Sequence, residues 1–231
     1  MRDIAPIGLM CFIALLVMAA TNDFGPALLL FLTVFGMLYI ATGRTSWLLL
    51  GIAALVIGGL AVAKVSTKIQ TRIANMRDPL ADYYNTGNQL SESLFGLSTG
   101  GITGSGLGHG HPELIPLAFS DFILGAVGEE LGLIGLSAVL MVFTLLVIRM
   151  LTTAMSNRDS FGKLLVSGFA LILLLQVFVV AGGISGLIPM TGLTTPFMSA
   201  GGSSLMANYI IVGLVLRVSH HAATLEDPTT V

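Results

Sequence analysis

Long apolar runs almost free of charge constrain this chain more than any other feature. A bilayer core of about 30 Å is crossed by roughly twenty apolar residues in a helix, and only helices or closed barrels satisfy their backbone groups there. Runs of this kind lie at residues 4–20, 24–43, 45–63, 122–148 and 164–180, with a last one near 203–216. They predict an all-α, polytopic transmembrane helix bundle of about six spans, folded as a single membrane domain over 1–231. Between the third and fourth runs, residues 64–120 gather charged, Tyr, Gly and Pro residues and are expected to lie outside the membrane as one large loop. No small-residue cleavage pattern precedes Asn22, so the first run is expected to be a span and not a signal peptide.

Composition narrows the function classes. With 55% hydrophobic residues, 10% charged residues and a formal charge of -2, the chain has no blocked positive surface for nucleic acid. Its one cysteine, Cys11, supports neither a disulfide framework nor a thiolate metal site. Arg2, Arg44, Arg149, Arg158, Lys163 and Arg217 fall on one side of the expected spans, and Lys64, Lys68, Arg72 and Arg77 on the other. Short loops decide orientation better than long ones, so both termini are expected in the cytoplasm and the 64–120 loop on the outer side of the cell membrane.

The start of that loop has two helical rows: Lys64, Lys68 and Arg72, then Val65, Ile69 and Ile73 one position on. They fit an amphipathic helix at the membrane surface, either a solvated extension with snorkelling cations or a binder of lipid-linked phosphate. Further along, the segment from Gly96 to Pro112 is dense in glycine. It lacks a dinucleotide fingerprint and a P-loop lysine, leaving two readings: amides converging on an anion, or a loop of tight turns. His109 and His111, without a cysteine or a carboxylate triad, are a weak metal signal, and a metal ligand set is not readable.

Asp121 stands where the polar loop meets the fourth span. At about 100° per residue, Gly125, Gly128, Gly132 and Gly135 fall within roughly 40° of its direction, which predicts one small-residue face for close helix packing. Carboxylates at membrane depth are costly and are functional candidates by default, so Asp121, Glu129 and Glu130 stand out. Glu129 lies about 12 Å along a helix from Asp121, too far for a paired-carboxylate mechanism. Asp121 is therefore the chemical candidate, against a helix-capping role. Glu129 and Glu130 are expected as structural carboxylates with buried polar partners, or as part of a lipid or ion path. Near the last span, Gly201, Gly202, Ser203 and Ser204 follow a Pro- and Thr-rich connector and form a candidate anion-facing helix start, or a simple capped connector.

Asn22-Asp23-Phe24-Gly25-Pro26-Ala27-Leu28-Leu29, the segment 89–110, Ser120-Asp121-Phe122-Ile123 with Gly128-Glu129-Glu130, and residues 189–204 resemble, in that order, the SEDS family of RodA, FtsW and SpoVE proteins. The likeness is to the actinobacterial RodA-like branch, especially in Thr191-Gly192-Leu193-Thr194-Thr195-Pro196-Phe197, and to the C-terminal part of the family's larger bundle only. It implies a peptidoglycan glycosyltransferase that polymerises lipid II in cell elongation or division, beside a class B penicillin-binding protein transpeptidase. By this resemblance the family's catalytic aspartate maps onto Asp121, which would take a proton from the acceptor sugar's 4-hydroxyl as undecaprenyl pyrophosphate leaves the donor. The resemblance further implies Lys68, Arg72, Arg77, Gln89 and 201–204 as substrate contacts, and a divalent cation, Mg or Mn. In this sequence Phe119-Ser120 replaces the commoner His-Thr, Glu92 replaces a glutamine, and Ala200 replaces a tyrosine. A lipid II flippase and a scaffold that recruits the transpeptidase are the rival functions.

Overall fold

The computed structural model describes residues 4–226, whose regular elements are helices, with no strand among them. In chain order the helices are α1 Ile4–Ala20, α2 Phe24–Thr42, α3 Ser46–Val65, α4 Thr67–Arg77, α5 Asn88–Gly100, α6 Ile123–Ser156, α7 Ser160–Ile184 and α8 Gly202–Glu226. Among the described residues, α2, α3, α6, α7 and α8 are long and apolar enough to cross a bilayer, while α1 is shorter at 17 residues. Packing groups the chain into two units, one ending at Gln70 and the other starting at Thr71.

In the first unit α2 packs on both α1 and α3. Gly51 lets α3 approach α2, because a Cβ there would sit 2.8 Å from Phe35 Cγ. Small residues at such a crossing allow close backbone approach where no hydrophobic force draws helices together. The rest of both helices faces outward: only 6% of each apolar stretch is buried, as expected of surfaces that meet lipid.

The four-residue rows from Lys64 predict one continuous surface helix, and this is corrected. Lys64 and Val65 end α3, the backbone is extended at Ser66, and α4 begins at Thr67. The Gln70 amide donates to Ala63 O at 3.0 Å and to Lys64 O at 3.3 Å, satisfying carbonyls that the end of α3 leaves without a partner.

The second unit is built around α7, of whose apolar stretch 44% is buried against 17% in α6. Val166, Ala170, Leu173 and Val177 of α7 meet Phe143, Val147, Met150 and Ala154 of α6, with Val215 of α8 closing the cluster. Both stripes have helical spacing, so each helix presents one face to the other. Asp159 starts α7 by accepting hydrogen bonds from Phe161 N at 3.4 Å and Gly162 N at 2.8 Å.

Helix ends run past the expected spans: α6 continues from 148 to Ser156, α7 covers Ser160–Ile184, and α8 passes 216. Arg149, Lys163 and Arg217 mark where the apolar surface stops, and charged residues continue a helix readily with their heads in water. The expected 64–120 loop is also more regular than its composition implies, since it holds α4, α5 and a 3₁₀ turn at Pro112–Leu114.

Candidate functional site

The single small-residue face expected from Asp121 to Gly135 does not form. Asp121 lies in the turn before α6, and Gly132 has φ 66° and ψ -168°, which breaks the helical register inside α6. Gly125 and Gly128 do face α5, where added Cβ atoms would meet Ser93 Oγ at 2.6 Å and Leu97 Cδ2 at 2.3 Å. At the break, Leu133 N and Ile134 N donate to Gly101 O (2.9 Å) and Ile102 O (3.1 Å) instead of to Glu129 O and Glu130 O. Those two carbonyls accept from Ser105 N and Gly106 N, each at 3.0 Å. The glycine-rich loop is thus spliced into α6, and its backbone makes four hydrogen bonds at the interruption.

The side chains of Glu129 and Glu130 belong to the same splice. Buried Glu129 accepts from His111 N at 2.8 Å through Oε1, and Glu130 Oε1 accepts from Gly108 N at 3.1 Å. The loop amides do converge on anions, but on carboxylates of the chain itself. Gly104 permits the closeness, since a Cβ there would lie 2.1 Å from Glu130 O.

Asp121 sits at the other end of this region. Leu117, with φ 57°, turns the chain so that Ser120 N and Phe122 N both donate to Leu117 O, at 2.9 and 3.4 Å. The Ser120 hydroxyl donates to Asp121 Oδ1 at 2.9 Å. The carboxylate borders a narrow, partly open cleft, lined also by Val179, Val180, Gly183 and Ile184 of α7 and by residues 190–193. Gly192 marks its polar corner: a Cβ there would stand 3.5 Å from Arg72 Nη2 and 3.6 Å from Asp121 Oδ2. A cation and a carboxylate therefore face one small space beside an apolar wall.

The candidate residues distribute unevenly around this cleft. Arg72 and Asp121 meet at Gly192. Arg77 is exposed at the end of α4, and Gln89 is half-buried in the first turn of α5, away from the cleft lining. Lys68 lies in the first packing unit, where its amine donates to Asn22 O at 2.9 Å. Gly202 opens α8, Ser203 is exposed, and Ser204 pairs its hydroxyl with Thr194 at 3.0 Å. Sequence reading passed over Ser199 and Gln176. Gln176, a polar residue buried in apolar α7, donates to Thr194 O at 2.8 Å and anchors the connector. A lone glutamine inside an apolar run was the only signal for it.

Further polar pairs stand in the segment between α4 and α6. The Tyr83 hydroxyl donates to Glu92, which raises the tyrosine above its ordinary value, and Thr86 and Asn85 hold Asp82 below its own. His111 Nδ1 lies 2.9 Å from Glu113 Oε1. The carboxylate raises His111 above its ordinary 6.5, and the imidazole lowers Glu113 from 4.5. The pair's contribution is complete between those ordinary values; it fades as pH rises through the raised histidine value or falls through the lowered glutamate value. Solvent keeps such an exposed pair weak, so titration is a better measure than stability. In an NMR titration the His111 ring should have a midpoint above 6.5, and Glu113→Gln should lower it; equal midpoints would mean the pair does not form.

No group of three or more His, Cys, Asp or Glu side chains among the described residues is arranged to hold a metal ion.

Residues 1–224 match the model of the FtsW, RodA and SpoVE family, described as cell cycle protein. The chain is 47% identical to the peptidoglycan glycosyltransferase RodA of Mycobacterium tuberculosis, over 96% of this chain and 47% of that protein. It is 37% identical to a probable peptidoglycan glycosyltransferase FtsW of Geobacter sp. strain M18, over 95% of this chain and 60% of that one. A solved structure described as structural coordination of polymerization and crosslinking by a peptidoglycan synthase complex superposes with a TM-score of 0.77 at 29% identity, covering 95% of this chain and 62% of that one. A mutant of the rod shape determining protein RodA of Thermus thermophilus superposes with a TM-score of 0.64 at 25% identity, covering 95% and 57%. The chain spans about half the length of the RodA relatives it matches.

Proposed function

We propose, for a chain that belongs to the FtsW, RodA and SpoVE family of cell cycle proteins and is a multi-pass membrane protein, that it carries the polymerising site of a peptidoglycan glycosyltransferase. The observation that carries this reading is the Asp121 carboxylate facing Arg72 across Gly192, at the mouth of an apolar cleft. In the proposed reaction Asp121 accepts the proton of the acceptor sugar's 4-hydroxyl while that oxygen bonds to the donor's anomeric carbon. The bond from that carbon to undecaprenyl pyrophosphate breaks, and the leaving group takes the electron pair. Arg72 faces the charge that develops there. The leaving group needs no proton, so one carboxylate suffices and the anomeric centre inverts.

The proposal places the cleft on the outer face of the cell membrane, with both termini in the cytoplasm and a class B penicillin-binding transpeptidase as partner. Arg77, Gln89 and residues 201–204 would meet parts of lipid II away from the reacting atoms. Magnesium or manganese would arrive with the pyrophosphate, whose oxygens would supply its ligands.

The test is the full chain in liposomes with the transpeptidase and labelled lipid II, read for glycan polymer on a gel and for label crossing the bilayer. Polymer is the expected result. Label that crosses without polymer would replace this reading with lipid transport, and transpeptidase binding with neither would leave a scaffold.

A further inference from the structure

The backbone that aims Asp121 is held by a segment far away in the chain. Ser199 Oγ donates to Ser120 O at 2.6 Å across 79 positions, and accepts from Thr195 N at 2.7 Å. Next to it, Ala200 N donates to Phe119 O at 2.8 Å. The two carbonyls immediately before Asp121 are thereby fixed by two successive residues of the connector ahead of α8. Ser199 is only 6% exposed and Thr195 1%, so water does not stand in readily for either bond.

Both partners in this clamp carry backbone strain. Leu117 begins the Asp121 turn at φ 57°, and Phe197 lies in the connector turn at φ 62°. Bulky residues are rare in the left-handed region and persist there only where the surroundings overdetermine them. The connector is itself anchored, to α7 through Gln176 and to α8 through the Thr194 and Ser204 hydroxyls.

We infer that Ser199 is a positioning residue for Asp121: its hydroxyl relays Thr195 N to Ser120 O and so fixes where the carboxylate stands at the cleft. Ser199 touches no reacting atom and acts through the backbone of residues 119–121. The inference rests on Asp121 being the base proposed above. Loss of the hydroxyl lets the turn relax toward an unstrained conformation and displaces the carboxylate. A displacement near 1 Å costs up to about 100-fold in rate.

Four variants of the full chain, Ser199→Ala, Ser199→Cys, Ser199→Thr and Asp121→Ala, are compared for polymer formation and for amide exchange by mass spectrometry. Ser199→Ala should lower kcat about 10- to 100-fold with KM unchanged, and should speed exchange in peptides covering 117–123 and 195–201. Ser199→Cys keeps the volume without a strong donor and should match alanine, whereas Ser199→Thr restores the hydroxyl and should recover both readouts. Wild-type kcat in Ser199→Ala, or cysteine behaving like serine, would overturn the inference. Activity retained by Asp121→Ala would instead remove the reading beneath it. Should the wild-type chain form no polymer, exchange decides, and unchanged exchange in Ser199→Ala overturns the clamp.

Discussion

Replacing Asp121 with alanine is expected to lower glycan polymer formation by at least about 100-fold, the lower end of what a positioned general base contributes. The fold should survive. The turn around Asp121 is shaped by backbone bonds to Leu117 and by the Ser199 and Ala200 clamp, while the Asp121 carboxylate accepts a side-chain bond from its neighbour Ser120. Asp121→Asn, which keeps the shape and removes the base, should fall as far as alanine. Asp121→Glu moves the carboxylate along one further carbon and should retain a small fraction of the rate. Polymer yield from purified, monodisperse variants supplied with lipid II measures all three. Normal polymer from Asp121→Ala would mean that the base lies elsewhere.

Gly132→Ala should be strongly destabilising, by about 3–5 kcal/mol, because strain and lost backbone bonds add at one place. At φ 66° and ψ -168° the residue occupies a region open essentially to glycine alone. An added Cβ would stand 2.3 Å from Gly104 N and 2.6 Å from Ile102 O, both backbone atoms of the spliced loop. Those atoms cannot retreat without disturbing the bonds of Leu133, Ile134, Ser105 and Gly106 that replace the missing turn of α6. Gly213→Ala, in α8 with nothing within 4 Å of an added Cβ, is the matched control and should be neutral or slightly stabilising. Thermal unfolding in detergent measures the difference. Equal melting temperatures would show that the loop does not thread through α6.

The site was partly legible before any coordinates. Asp121 was identifiable because a carboxylate at the edge of an apolar span is expensive and a capping role alone explains it poorly. Arg72 was legible only as one of several cations, and Gly192, which brings it opposite Asp121, only as part of a motif. Glu129 and Glu130 stood out on the same cost argument as Asp121. Their partners did not, since backbone amides carry no residue-type signal: Gly108 and His111 bind them through N–H groups that every residue but proline possesses. The glycine-rich segment was ambiguous for a related reason. Glycine records that the backbone passes close to something without recording what.

Helix type and approximate extent followed from the sequence alone, because a solvent of lipid admits few backbone structures and apolar length reports them directly. The sequence also placed the boundary at which polar loop meets α6. Three features were decided only by tertiary structure: the break at Ser66, the splice of residues 101–106 into α6, and the clamp of Ser199 on Ser120. Each is a hydrogen bond or backbone geometry between groups common to nearly all residues, some joined across 79 positions. Periodicity describes the side chains of one helix and is silent on which distant amide completes it.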